Sequence, residues 1–200
     1  MSEKQFTVPP HLEQYTAPLA VFRAANPQYT HFVVGGLVFS NPTPTTDNPS
    51  PESKVLLLRR ALTDSLPGYW EGPGGGCEET DDSIVDAVVR EVREESGLHV
   101  SRVVDLVGIE EWVKLKPDQV VKAVKFHFLV EVWEAQGFIP GGEGQVVERW
   151  EDGVLLTPEE HDAFVWEGVD EVRASLEGKG KYMVLEDEGR NLVKAFELVR

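Results

Sequence analysis

Arg90, Glu91, Glu94 and Glu95, within the run Arg90-Glu91-Val92-Arg93-Glu94-Glu95, have types and spacing that could do chemistry together. In a helix of about 3.6 residues per turn, positions i, i+3 and i+4 share one face. Glu91, Glu94 and Glu95 then crowd one stripe, where like charges repel unless a cation or solvent relieves them. Ile84, Val85, Val88, Val89 and Val92 fall on the adjacent stripe, so one edge of the acidic row meets protein and the other an opening. Gly74-Gly75-Gly76 come before the row, and residues without a Cβ allow tight turns and close backbone approach to metal or phosphate. The set has the form of a device for holding a divalent metal against a diphosphate. A solvated acidic face ending in a cap at Gly97, after a plain Gly-rich turn, would use the same residues. Arg90 is then one half of a helix-surface ion pair with Glu94.

From Gly76 to Leu98 the chain resembles the signature of the Nudix hydrolases, G-x5-E-x7-R-E-U-x-E-E-x-G-U, where U is a bulky aliphatic residue. Gly76, Arg90, Glu91, Val92, Glu94, Glu95, Gly97 and Leu98 stand at the required spacing, with Asp82 in place of the first Glu. Trp70 to Gly75 looks like the family's lead-in, and an alignment through Pro73-Gly74-Gly75 adds one residue before Asp82. The resemblance implies Glu91, Glu94 and Glu95 as ligands of Mg2+ or Mn2+, hard cations that take oxygen donors. It implies Arg90 buried behind the site, paired with Asp82 and Glu91, and Gly74, Gly75 and Gly76 against the substrate. It also implies a later carboxylate as metal ligand or base. Glu159-Glu160-His161 ahead of Trp166 resembles the family's late segment, which puts Glu160 first, then Glu159, with Glu143 and Glu148 behind them.

The activity so implied is hydrolysis of a diphosphate linkage, in a nucleoside diphosphate derivative or related metabolite, by water activated beside the metal. The catalytic set is Glu91, Glu94, Glu95, Arg90 and Glu160. The alternative is a binding module of the same fold that senses a nucleotide or an ADP-ribose-like ligand, for which Asp82 speaks. An isoprenoid diphosphate isomerase ranks lower, because the five histidines are scattered. Arg59, Arg60, Lys114 and Lys116 are candidate phosphate contacts. The five tryptophans include candidate base-stacking rings, although most serve cores.

A net charge of −16 excludes a binder of nucleic-acid duplex or of an anionic membrane surface, since both need basic side chains. The partner expected is a small diphosphate, brought to an acidic protein by its cation; dimerisation is common among relatives. Cys77 has no partner for a disulfide and is read as a small filler, which fits a reducing, cytosolic or nuclear setting. No stretch has the form of a membrane span or a signal segment.

Residues 1–28 read as an irregular arm, partly helical over 12–25, before a single domain at 29–200. Strands are expected at 31–39, 54–60, 103–111, 121–133 and 154–156. In the fourth, Val124, Phe126, Phe128 and Val130 alternate with polar residues. Helices are expected at 83–96, 168–177 and 191–199, with a helical or turn segment opening at Pro158, where His161 would lie on a polar face. Loops fill 41–53 and 136–148. Strands interleaved with helices give an α/β (α+β) layered domain. The resemblance implies the Nudix fold, a mixed β-sheet sandwiched between helices with a loop–helix–loop motif.

Overall fold

The structure is a computed structural model. It describes residues 6–42, 46, 51–138 and 149–199. Six strands form one mixed sheet: β1 (His31–Ser40), β2 (Lys54–Arg60), β3 (Trp70–Glu71), β4 (Val100–Lys116), β5 (Gln119–Val132) and β6 (His161–Glu167). The order is β3-β2-β1-β5-β4, with β6 on β2. β1 and β5 run parallel, and the other pairs are antiparallel.

The helices are α1 (Leu19–Ala25), α2 (Ile84–Ser96), α3 (Val169–Leu176) and α4 (Glu186–Leu198). Ser83 caps α2 by accepting from the Asp86 amide, and Gly97 ends it in the left-handed region at φ 71°. Its apolar stripe, Ile84, Val85, Val88 and Val92, packs with Val34, Val38, Leu56, Leu58 and Phe128 on one sheet face. The other face carries a second core, Leu37, Phe39, Val55, Leu57 and Leu129, covered by Val172 of α3 and by Leu192 and Ala195 of α4. The expected sandwich of a mixed sheet between helices is therefore the observed one.

Three local expectations are corrected. Residues 154–156 form no strand: the Leu155 amide bonds the Ser96 carbonyl at 2.9 Å, so this segment ties off α2 instead of joining the sheet. His161 opens strand β6 and is buried, not on a polar helix face. α4 begins at Glu186, five residues before the expected start. The connection around Glu143 and Glu148 lies outside the described residues, as does most of the 41–53 loop. Among the described residues no helix is long and apolar enough to cross a membrane.

The N-terminal segment forms a 3-10 turn at Pro10–Thr16 followed by α1. Leu12, Tyr15 and Leu19 sit inside the α2-side core, where the Tyr15 ring lies 5.4 Å from both Phe126 and Phe128. Leu12→Ala is thus expected to lower stability by about 2–5 kcal/mol in urea unfolding, as core truncations do. A change below about 0.5 kcal/mol would mean the segment is not part of the core.

Candidate metal and diphosphate site

Residues 72–77 cross the end of β1 as a short antiparallel stretch. The Gly36 amide bonds Pro73 O at 2.8 Å, the Val34 amide bonds Gly75 O at 2.9 Å, and the Cys77 amide bonds Phe32 O at 2.8 Å. The backbone is too close for side chains. A Cβ at Gly74 would stand 2.3 Å from Val34 O, and one at Gly75 2.7 Å from Glu91 Oε1. Gly76 is different: it is exposed, nothing lies within 4 Å of its Cβ position, and its carbonyl accepts from Arg90 at 2.9 Å. The first two glycines serve close packing beneath the acidic row.

Arg90 ties this loop to the helix. Nε and Nη2 donate to the Asp81 carboxylate at 2.8 and 3.0 Å, and Nη1 reaches Glu91 at 2.9 Å and Glu94 at 2.8 Å. Both sequence readings of Arg90 hold, the surface pair with Glu94 and the inward pair with Glu91. The partner from the loop is corrected: it is Asp81, not Asp82. Asp82 is exposed, and it contributes its backbone carbonyl, which accepts from the Leu19 amide at 2.8 Å. Burial opposes ionisation of Asp81, but the Arg90 hydrogen bonds outweigh it and hold the carboxyl below its ordinary range.

Glu91 and Glu95 are buried, whereas Glu94 keeps 57% of its side chain exposed. The Glu95 Oε2 accepts the Gly74 amide at 2.6 Å. Burial, with neighbouring carboxylates adding to it, pushes Glu91 up to about 7 and Glu95 up to about 9. The turn at 157–160 brings in the late carboxylate. Thr157 Oγ1 bonds Glu94 O at 2.7 Å, the His161 amide bonds Thr157 O at 2.9 Å, and the Ala61 amide bonds Glu160 O at 2.8 Å. Ligand atoms of Glu95, Glu160 and His161 fall within 4.8 Å of one another, with Glu160 exposed. The structure therefore gathers Glu95, Glu160 and His161, with Glu91 buried one helical turn before Glu95 and Glu94 on the outer rim.

Sequence reasoning missed the layer behind. Glu71 of β3 pairs with Arg60 and lies 3.6 Å from Lys125 Nζ; burial would raise its pKa, but the Lys125 and Arg60 charges hold it down to about 2. Lys125 pairs with Glu188 of α4 at 2.8 Å, and buried His127 lies 3.2 Å from Glu110 and 3.7 Å from Glu188. Arg60 is thus engaged by Glu71 and Asp64, and Arg59 by Asp162 at 2.6 Å, while Lys114 and Lys116 are exposed at the end of the β4–β5 hairpin. Trp70 meets Tyr182 edge to face, and Trp150 meets Trp166 in the same way. Burial pushes the Cys77 thiol up to about 12, in keeping with a filler role.

Hard cations suit this donor set. Two buried carboxylates repel each other and Glu160, and among the described residues Glu95 has no Lys or Arg nitrogen within 4.0 Å.

A model of the NUDIX domain matches residues 47–186. The chain is 30% identical over 102 residues to the uncharacterized Nudix hydrolase YvcI of Bacillus subtilis, a match that spans 50% of this chain and 60% of that protein. It is 42% identical over 67 residues to the human m7GpppN-mRNA hydrolase NUDT17, spanning 33% of this chain and 19% of the relative. The NUDIX domain of Shewanella oneidensis NrtR, solved with ADP ribose, has the same fold: TM-score 0.55 at 15% identity, over 84% of this chain and 88% of that one.

Two outcomes are expected. Asp81→Asn weakens two of the charged hydrogen bonds of Arg90 and lowers stability by about 1.5–3 kcal/mol in urea unfolding, an effect that shrinks as pH falls and Asp81 protonates. Asp82→Asn changes it by less than about 0.5 kcal/mol. A carboxyl whose pKa is raised on folding stabilises below its unfolded value and loses that contribution as pH rises through the folded one. In EDTA, the Tm should therefore fall from about pH 5 to about pH 9, and saturating Mn2+ should abolish the fall. A flat metal-free profile would contradict the burial of Glu91 and Glu95.

Proposed function

The chain belongs to the NUDIX domain family, and from that premise we propose that it hydrolyses the diphosphate linkage of a nucleoside diphosphate derivative with the help of Mg2+ or Mn2+. The observation that carries the reading is buried Glu95, which has no Lys or Arg nitrogen within 4.0 Å among the described residues, beside buried Glu91 on the Arg90 fork and the outer acids Glu94 and Glu160. These four would hold the cation. When bound, it would neutralise phosphate oxygens and lower the pKa of a coordinated water.

The chain's own residues do the rest. Arg90 fixes Glu91 and Glu94 by a fork of hydrogen bonds, which sets the direction of their oxygens. Gly74 donates its amide to Glu95 Oε2, leaving Oε1 to face the cluster. Glu94 and Glu160 stand at the solvent edge, from which a proton taken from the attacking water can leave. The exposed Gly76 borders the opening, where a phosphate can approach the backbone.

Phosphate-linkage cleavage across a panel of nucleoside diphosphate derivatives, including ADP-ribose and a capped dinucleotide, tests the proposal. Turnover with Mg2+ or Mn2+ is expected, with none in EDTA. Glu95→Gln should lower kcat by at least the roughly 10–100-fold that loss of a supporting contact costs a metal site. Tight ligand binding without turnover on any member would replace the hydrolase by a sensor.

A further inference from the structure

His161 is 1% exposed, and neither ring nitrogen has a hydrogen-bond partner. An unsatisfied buried polar group calls for an explanation, and an imidazole with both nitrogens idle is a rare one. Its surroundings are specific. Nδ1 lies 3.8 Å from Glu95 Oε1, the oxygen that Gly74 leaves free, and Nε2 lies 4.0 Å from Glu71 Oε1. Glu71 is kept ionised by Arg60 and Lys125.

The backbone makes this placement deliberate. Along the β2–β6 ladder Arg59 stands opposite Ala163, yet Arg60 stands opposite His161, with a bulge between. Asp162 is the extra residue, and its carboxylate takes the Arg59 Nε at 2.6 Å. In a regular ladder Asp162 would face Arg60, but the bulge puts His161 there. Bulges beside active sites commonly redirect a side chain in this way.

We propose that His161 is a nitrogen ligand of the divalent ion held at Glu95 and Glu160, through Nδ1, and that it biases the site toward Mn2+ over Mg2+. The Nε2 proton points to Glu71, giving the carboxylate–histidine–metal arrangement that fixes a ligating imidazole. Both ions take oxygen donors, but Mn2+, a first-row transition ion, tolerates one imidazole better than Mg2+ does, so a single nitrogen in an otherwise carboxylate set tells the two apart. Positioning is shared across strands: β6 supplies the ligand, β3 its orienting acid, and β2 and β5 the cations behind that acid. The inference rests on the proposed function only in needing an ion at the acidic cluster.

Electron paramagnetic resonance of Mn2+ bound to the full chain tests it without turnover. Pulsed measurements on wild type should show nitrogen coupling from one imidazole, replaced on 15N-histidine labelling. The coupling should be lost in His161→Gln and kept in His127→Gln, the other buried histidine. Titration should show His161→Gln weakening Mn2+ by about 10-fold or more, with Mg2+ shifted much less, in line with loss of one ligand-shell contact. Bound Mn2+ without histidine coupling in wild type overturns the inference and leaves the hydrolase reading standing. So does equal weakening of both ions in His161→Gln. Binding unaffected by Glu95→Gln overturns both, since the ion would then sit elsewhere. Because the wild-type spectrum decides alone, a His161 variant that fails to fold does not shield the inference.

Discussion

The Arg90 guanidinium bonds both limbs of the signature segment at once: Gly76 and Asp81 on the loop, Glu91 and Glu94 on the helix. A planar fork is suited to this, because its five donors point in fixed directions that a lysine could not reproduce. Without such a clasp, a Gly-rich loop would have many conformations, and the acids of α2 would spread to relieve their repulsion. The three amide bonds to β1 lock the same loop from the other side. The loop is therefore fixed between a strand and a side chain, and the acids inherit its rigidity.

That rigidity comes at an electrostatic cost which the protein distributes unevenly. Glu95 faces inward with no cation beside it and Glu91 with only a share of Arg90, while Glu71, one layer behind, is compensated by both Lys125 and Arg60. Lys125 in turn joins Glu188 of α4, so the C-terminal helix is coupled to the layer behind the site by charge as well as by apolar packing. The gradient from compensated to uncompensated acids runs toward the opening, which is where an incoming cation gains most.

Much of this was legible in the residues. The spacing of Glu91, Glu94 and Glu95 against the valine stripe gave the helix and its two faces, and Ser83 and Gly97 mark its ends as capping chemistry requires. The two adjacent aspartates were not resolvable by spacing alone, because which one meets Arg90 depends on how the loop enters the cap. The alternation in β5 was read, but Lys125 and His127 on its polar side are buried too, since α4 covers that face and brings Glu188 to meet them. The start of α4 was obscured by Gly189, a poor helix former in isolation. Its role is tertiary: a Cβ there would lie 2.9 Å from Leu176, so its absence lets α3 and α4 approach. Strand β6 is partly buried along most of its length and lacks a clean alternation, leaving no periodic signal to detect.

The irregularity in β6 also makes chain length at that point a chemical variable. Removing Asp162 while keeping every other letter would restore a regular ladder with His161 still opposite Arg60 and Ala163 opposite Arg59, but Arg59 would lose its carboxylate partner. A ladder made regular with Asp162 retained would instead seat Asp162 opposite Arg60, exchanging the group presented there with no change in the sequence. Descendants of this chain could therefore trade inward-facing donors by a slip of register as readily as by point change.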